Sequence, residues 1–151
     1  GEGATLGIRG NEGMSVTYAK CCCPLPGDPI QGYLGQEKGL MVHRDNCRNL
    51  VELREQPDRL ISLHWDDVQE RTYPVALRVQ VENRRGMIAV LATRLSAMGL
   101  NIERIATQNK DVEFTFVDLE LPVTSRTHLA HAMKRLRSVD GVLKVLRSAR
   151  R

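Results

Sequence analysis

Val75-Ala76-Leu77-Arg78-Val79-Gln80-Val81-Glu82, then Asn83-Arg84-Arg85-Gly86, then Met87-Ile88-Ala89-Val90-Leu91-Ala92-Thr93-Arg94-Leu95, is the stretch that decides the fold of the second half of the chain. Val75, Leu77, Val79 and Val81 alternate with Ala76, Arg78, Gln80 and Glu82, the period of two of a half-buried strand. Ile88, Leu91, Ala92 and Leu95 recur at the spacing of one helical face. Gly99 is placed to end that helix. Downstream the pattern repeats. Residues 101–107 read as a second strand, Asn109-Lys110-Asp111 as a turn, and residues 112–121, rich in Val and Phe, as a third strand. Alternation in that third strand changes parity between Phe116 and Val117, which predicts a bulge or burial on both faces. Leu129, Ala132, Met133 and Leu136 mark a second helical face, Gly141 breaks it, and residues 142–146 close the unit. The order βαββαβ over residues 74–149 predicts a ferredoxin-like antiparallel sheet with both helices on one face.

Working back towards the amino terminus, residues 69–73 read as a linker and residues 15–68 as a second, smaller α+β module. Residues 1–14 are rich in Gly and polar types and are expected to be a tether. A β-prone run, Val16-Thr17-Tyr18, leads into Cys21-Cys22-Cys23, and Pro24, Pro26 and Pro29 then force a rigid turn. Residues 30–34 and 40–43 read as strands joined by a polar turn at 35–39. Asp45 or Asn46 is expected to cap a short helix carrying Leu50, Val51 and Leu53, and residues 60–65 form a further strand.

Composition limits what such a chain does. Of 151 residues, 42% are hydrophobic and 26% charged, the balance of a globular protein. No apolar run approaches the roughly 18–20 residues of a membrane span. The opening Gly1-Glu2-Gly3 has neither an initiator Met nor a signal-peptide pattern, as expected for a piece of a longer cytoplasmic protein. The four cysteines are therefore expected to be reduced. Charge is uneven: residues 1–71 hold 8 Lys/Arg against 11 Asp/Glu, and residues 72–151 hold 14 against 7. A basic second half fits an anionic partner such as RNA, or simply a solvated basic helix.

Cys21-Cys22-Cys23 and His43-Arg44-Asp45-Asn46-Cys47 form the one constellation with metal-ligand chemistry. His-x3-Cys is the short half of many zinc sites, and two earlier thiols would complete a tetrahedron. In extended chain adjacent residues point to opposite faces. Cys21 and Cys22 can share an ion only if the backbone kinks, whereas Cys21 and Cys23 need no kink. Buried apolar thiols and a redox sensor are the alternative uses.

The residues Val16-Thr17-Tyr18-Ala19-Lys20-Cys21-Cys22, Pro24-Leu25-Pro26-Gly27-Asp28-Pro29-Ile30 and Gly39-Leu40-Met41-Val42-His43-Arg44-Asp45-Asn46-Cys47 together resemble the Cys/His module of the RelA/SpoT family. That module is variously named the zinc-finger or ribosome-intersubunit domain, and in long members it precedes a terminal ACT domain. The resemblance implies zinc ligands at Cys21, Cys22, His43 and Cys47, with Cys23, not usually a cysteine, as a substitute. It implies no catalytic residue here. The synthesis and hydrolysis of guanosine tetra- and pentaphosphate, with Mg or Mn, would belong to an amino-terminal half, and neither a His-Asp dipeptide nor a Walker-type loop is present. It implies as partners the ribosome or ribosomal RNA, a regulatory protein, or a branched-chain amino acid. ACT sheets also often pair, so a homodimer is expected. For an amino acid, the residues are Asn83, Arg85, Gly86 and Met87 on the first strand–helix loop, with Asn101 and Ile102 opening the next strand. The loop is otherwise a capped turn. For RNA they are Arg44 and Arg48 beside the cysteines and Lys134, Arg135, Arg137 and Lys144 in the basic half. A free-standing amino-acid sensor and a small zinc or thiol enzyme are the rival readings.

Overall fold

The computed structural model describes residues 6–10, 15–35, 39–66, 68, 70–109 and 111–148. They fall into two compact units, the first ending at Arg71 and the second spanning Thr72–Ser148.

In the first unit, the extended, β-prone runs become β2 (Val16–Tyr18), β3 (Ile30–Leu34), β4 (Leu40–Arg44) and β5 (Leu60–Trp65), with α1 (Leu50–Leu53) between β4 and β5. A further strand, β1 (Leu6–Ile8), lies where a tether was expected. The sheet order is β1-β5-β3-β4-β2. β3 is antiparallel to both neighbours, while β1 and β2 add in parallel at the two edges. Three residues are too few to show an alternation in sequence. β1 exists because β5 offers it a backbone ladder and because Ile8 is buried in the core with Ile30, Leu40, Val42 and Leu63. The turn between β3 and β4 is closed by Gly35 N–H donating to the Gly39 carbonyl, and residues 36–38 of that expected turn lie outside the described residues.

Side chains alternate across β4, so Leu40 and Val42 face that core while Met41 and His43 face the other side. There a second cluster gathers Ala19, Cys22, Cys47 and Leu50, with Cys21, Met41, Leu53 and Leu60 against it. α1 is shorter and later than Asp45 or Asn46 would have set it. Asn49 is its N-cap residue, without a side-chain cap bond. The chain first makes two successive turns, Cys47 N–H to the Arg44 carbonyl and Leu50 N–H to the Cys47 carbonyl. Cys47 thus sits in a turn ahead of the helix, and its position owes nothing to a helix dipole. The unit ends where Arg71 lies over the Tyr18 ring and donates to the Gly10 carbonyl. Tyr18 in turn stacks on Trp65, the ring centroids 5.9 Å apart.

The second unit is β6 (Tyr73–Glu82), α2 (Met87–Ala97), β7 (Arg104–Asn109), β8 (Phe114–Val123), α3 (Arg126–Arg137) and β9 (Val142–Arg147). All pairings are antiparallel and the order is β7-β8-β6-β9, the ferredoxin-like arrangement. β6 pairs with β8 along its whole length, from Tyr73 opposite Val123 to Glu82 opposite Phe114. Val75, Leu77, Val79 and Val81 share one buried face with Val117, Leu119, Leu121 and Val123, and α2 and α3 cover it with Met87, Leu91, Leu95, Leu129, Ala132 and Leu136.

Three details differ from the sequence reading. β8 alternates without the expected bulge: Thr115 holds the buried position between Phe114 and Phe116, and both phenylalanines lie half-buried on the opposite face. A Thr can hold a core position when its hydroxyl finds an acceptor, and Thr115 has one in Asn109 Oδ1 at 3.0 Å. The buried stripe of α2 is Met87, Leu91 and Leu95, rotated from the expected one, so that Ile88 is 40% exposed. β7 begins at Arg104, not at Asn101, because the chain first completes the helix stop. Gly99, at φ 74°, lets its own N–H reach the Ser96 carbonyl and the Leu100 N–H reach that of Leu95. α3 starts on Ser125, whose Oγ accepts the His128 N–H at 3.1 Å.

Candidate metal centre and ligand cleft

Cys21, Cys22, His43 and Cys47 converge on one point, with all four ligand atoms within 4.8 Å of one another. Cys21 Sγ lies 3.6 Å from His43 Nδ1 and 3.6 Å from Cys47 Sγ, and Cys22 Sγ lies 3.8 Å from His43 Nδ1. Ligands about 2.3 Å from a tetrahedral zinc stand about 3.8 Å apart, so these separations fit the edges of such a tetrahedron. The kink that neighbouring cysteines require is present. Ala19 N–H is held by the Val42 carbonyl, and Cys23 N–H turns back to the Ala19 carbonyl. Cys23, at φ 48°, is directed away, its thiol at 3.5 Å from the Lys20 carbonyl, and it is not one of the clustered four.

The surroundings fix this geometry. Arg44 N–H points at Cys22 Sγ at 3.3 Å. Asp28 is buried, accepts the Leu25 N–H at 2.7 Å, stands 3.9 Å from the Arg44 guanidinium, and receives the Trp65 indole N–H on its own carbonyl. The proline turn is thereby pinned to β4 and β5. Asp28 was legible only as a turn residue, since its carboxylate finds Arg44 across the fold.

Burial pushes the Cys22 thiol well above its ordinary value near 9.0, and the neighbouring thiols add to the effect against the Arg44 N–H. Burial also lowers His43 from its ordinary value of 6.5. Both groups are therefore held neutral. For the metal-free unit the signs oppose each other. A lowered His means the unfolded chain takes up the proton first, so stability falls as pH drops below about 6.5. A raised Cys means the unfolded chain loses the proton first, so stability falls as pH rises above about 9.0. Urea unfolding of the metal-stripped protein should peak between these values, and His43→Leu should flatten the acid limb. An acid limb unaltered by that substitution refutes the assignment.

The second unit carries a cleft of about 350 Å³ at the amino end of α2. Gly86, Met87, Ile88 and Ala89 line it with Val81, Glu82 and Asn83, and Thr107, Asn109, Thr115 and Val117 form the far wall. The N–H groups of Met87, Ile88 and Ala89 precede the first helical bond, from Val90 to the Gly86 carbonyl, and so lack helical acceptors. Asn83 is tied to the β7–β8 turn by donating Nδ2–H to the Val112 carbonyl at 3.0 Å. Arg84 is clamped between Glu82 and Asp140. Of the expected ligand residues, Asn83, Gly86 and Met87 line the cleft. Arg85, Asn101 and Ile102 do not. Because β7 runs antiparallel to β8, with Asn109 opposite Thr115, the far end of β7 reaches the loop and its beginning lies away from it.

Residues 6–66 match the family model described as the RelA/SpoT RIS domain, and residues 69–147 match an ACT domain. The chain belongs to the RelA/SpoT family. It is 32% identical over 143 residues to the bifunctional (p)ppGpp synthase/hydrolase SpoT of Escherichia coli K12, covering 95% of this chain and 20% of that protein. It is 33% identical over 146 residues to a GTP pyrophosphokinase of Streptomyces coelicolor, covering 95% of this chain and 17% of that protein. The chain thus spans about a fifth of the length of the curated relatives it matches. It is homologous to the carboxy-terminal region of RelA/SpoT stringent-response enzymes. A solved ACT domain from GTP pyrophosphokinase of Chlorobium tepidum aligns with 51% of this chain and 99% of its own at 27% identity, with a TM-score of 0.45.

In this RelA/SpoT chain the basic residues divide between the units. Arg48 is exposed on the turn after the Cys/His cluster, whereas Arg44 is half-buried beside Asp28. Lys134, Arg135 and Arg137 are exposed on the last turns of α3, and Lys144 is exposed on β9. No helix among the described residues is long and apolar enough to cross a membrane.

Proposed function

We propose that this chain is the regulatory region of a guanosine tetra- and pentaphosphate synthetase/hydrolase, in which a zinc-bound RIS module docks on ribosomal RNA and the ACT domain relays nutrient state to catalytic domains lying elsewhere in the protein. The catalytic domains would use Mg or Mn, and the chain described here would bind and transmit. The observation that carries the reading is the cluster Cys21, Cys22, His43 and Cys47, four N/S ligands at tetrahedral separations. A closed four-ligand zinc leaves no position for a reacting water, which favours a structural centre over a small zinc enzyme. Zinc would fix Arg48 in the turn that follows Cys47, where a phosphate can reach it.

Ribosome co-sedimentation across a salt series tests the RNA contact. Each lysine or arginine that neutralises a phosphate contributes about 0.7–0.9 to the slope of log affinity against log salt. Replacing Arg48 by Ala should therefore lower that slope by about 0.7–0.9, and an unchanged slope removes the RIS contact. Replacing Lys134, Arg135 and Arg137 by Ala should lower it by about 2–3 where α3 shares the interface. An unchanged slope removes α3 from the interface.

The cleft favours a second reading, an amino-acid sensor. Its free N–H groups suit a carboxylate, and Val81, Met87, Ile88 and Val117 suit an aliphatic side chain. Because Asn101 and Ile102 lie off this cleft, they would enter only from the second copy of an ACT homodimer. Titration calorimetry with valine, isoleucine and leucine decides it: saturable binding supports the sensor, and its absence leaves RNA or protein docking.

A further inference from the structure

We propose that Cys21 and Cys47 are a peroxide-oxidisable pair, a modification site in which a disulfide replaces the metal. Three observations single them out. Their sulfurs are 3.6 Å apart, so bond formation needs a further approach of only about 1.5 Å. Cys21 is the one half-exposed thiol of the chain, while Cys22, Cys23 and Cys47 are buried. Cys21 is therefore where a small oxidant arrives, and Cys47 is the sulfur within its reach. Cys23 faces the Lys20 carbonyl outside the cluster. Cys22 lies within 4.8 Å of both sulfurs, but it is buried and takes the Arg44 N–H, so Cys21 is the thiol a small oxidant meets first.

The chemistry closes with hydrogen peroxide as the oxidant. The Cys21 sulfur attacks one peroxide oxygen, the O–O bond breaks, and the thiol proton leaves with the departing hydroxide as water. Cys21 is then a sulfenic acid, oxidised by two electrons. The Cys47 sulfur attacks it, the S–S bond forms, and the sulfenic hydroxyl leaves with the Cys47 proton as a second water. Two thiols and one peroxide give one disulfide and two waters. The product has lost two of the four metal ligands, so oxidation and metal occupancy exclude each other. A thiol coordinated to zinc is also shielded, so the metal-loaded chain resists what the stripped chain undergoes.

The pair itself does not depend on the metal reading; only that protection does. The test uses the full chain, stripped by chelator or loaded with zinc, and treated with hydrogen peroxide. In the stripped protein titratable thiols should fall from four to two, the intact mass should drop by two hydrogens, and peptide mapping should join Cys21 to Cys47. Cys47→Ser should stop at a sulfenic acid on Cys21, captured by a dimedone probe, and Cys23→Ser should change nothing. A disulfide that includes Cys22 or Cys23, or no loss of thiols in the stripped protein, overturns the proposal. If the disulfide forms but zinc neither binds nor protects, the pair stands and the metal reading falls. If zinc binds stoichiometrically but the stripped protein keeps its four thiols, the metal reading stands and the pair falls.

Discussion

Replacing Cys22 with Ala should take the zinc content of the purified chain from one ion to none and cost the first unit several kcal/mol. The thiol is buried between His43 and Arg44, so no water can take its place as a ligand without a cavity. Structural zinc binding to small finger peptides is worth about 10–16 kcal/mol, and part of that is folding free energy because no site exists in the unfolded chain. If zinc occupies the cluster, the first unit would gain more from it than the second, since the two hydrophobic clusters among its described residues hold five and four buried residues. Elemental analysis with thermal unfolding in the presence and absence of chelator measures both quantities. Cys23→Ser is the paired control, because that thiol faces a carbonyl outside the cluster and should leave the zinc content intact. Unchanged metal in Cys22→Ala, or loss in Cys23→Ser, would sink the assignment of ligands.

Leu91→Ala should destabilise the second unit by about 2–5 kcal/mol, the range for emptying a packed leucine site. Leu91 is fully buried at the centre of the α2 stripe, with Met87 and Leu95 one turn away on either side. Ile88→Ala, three residues earlier and on the face that the bare periodicity would have buried, should stay within about 0.5 kcal/mol, because that side chain is 40% exposed. It should instead weaken any ligand of the cleft it lines. Urea denaturation of the two variants separates the two faces. Equal losses would mean that α2 is rotated from the orientation that buries Met87, Leu91 and Leu95.

Rigid elements and their order were legible because local physics specifies them. Val75, Leu77, Val79 and Val81 alternate along β6, α2 lies between Gly86 and Gly99, and the proline run forbids helix where the cysteines turn. The resemblance of the Cys/His block was equally local, a set of rare residues at fixed spacing. Exact helix phase was not, since Ile88 and Met87 are both apolar and only packing against the sheet chooses between them. Nor was the burial of Thr115, which depends on a hydroxyl partner six residues away on β7.

By itself, then, the sequence determined a Cys/His module followed by a βαββαβ unit, together with the residue types able to hold a metal. Tertiary structure decided which sulfurs meet. A turn closed by the Ala19 carbonyl brings Cys21 and Cys22 to His43 and leaves Cys23 behind. It likewise decided that β7 meets the α2 loop with Thr107 and Asn109 rather than Asn101 and Ile102. The reason is the same in both cases: side-chain direction follows from backbone hydrogen bonds between segments far apart in the chain, and spacing along one segment carries no record of them.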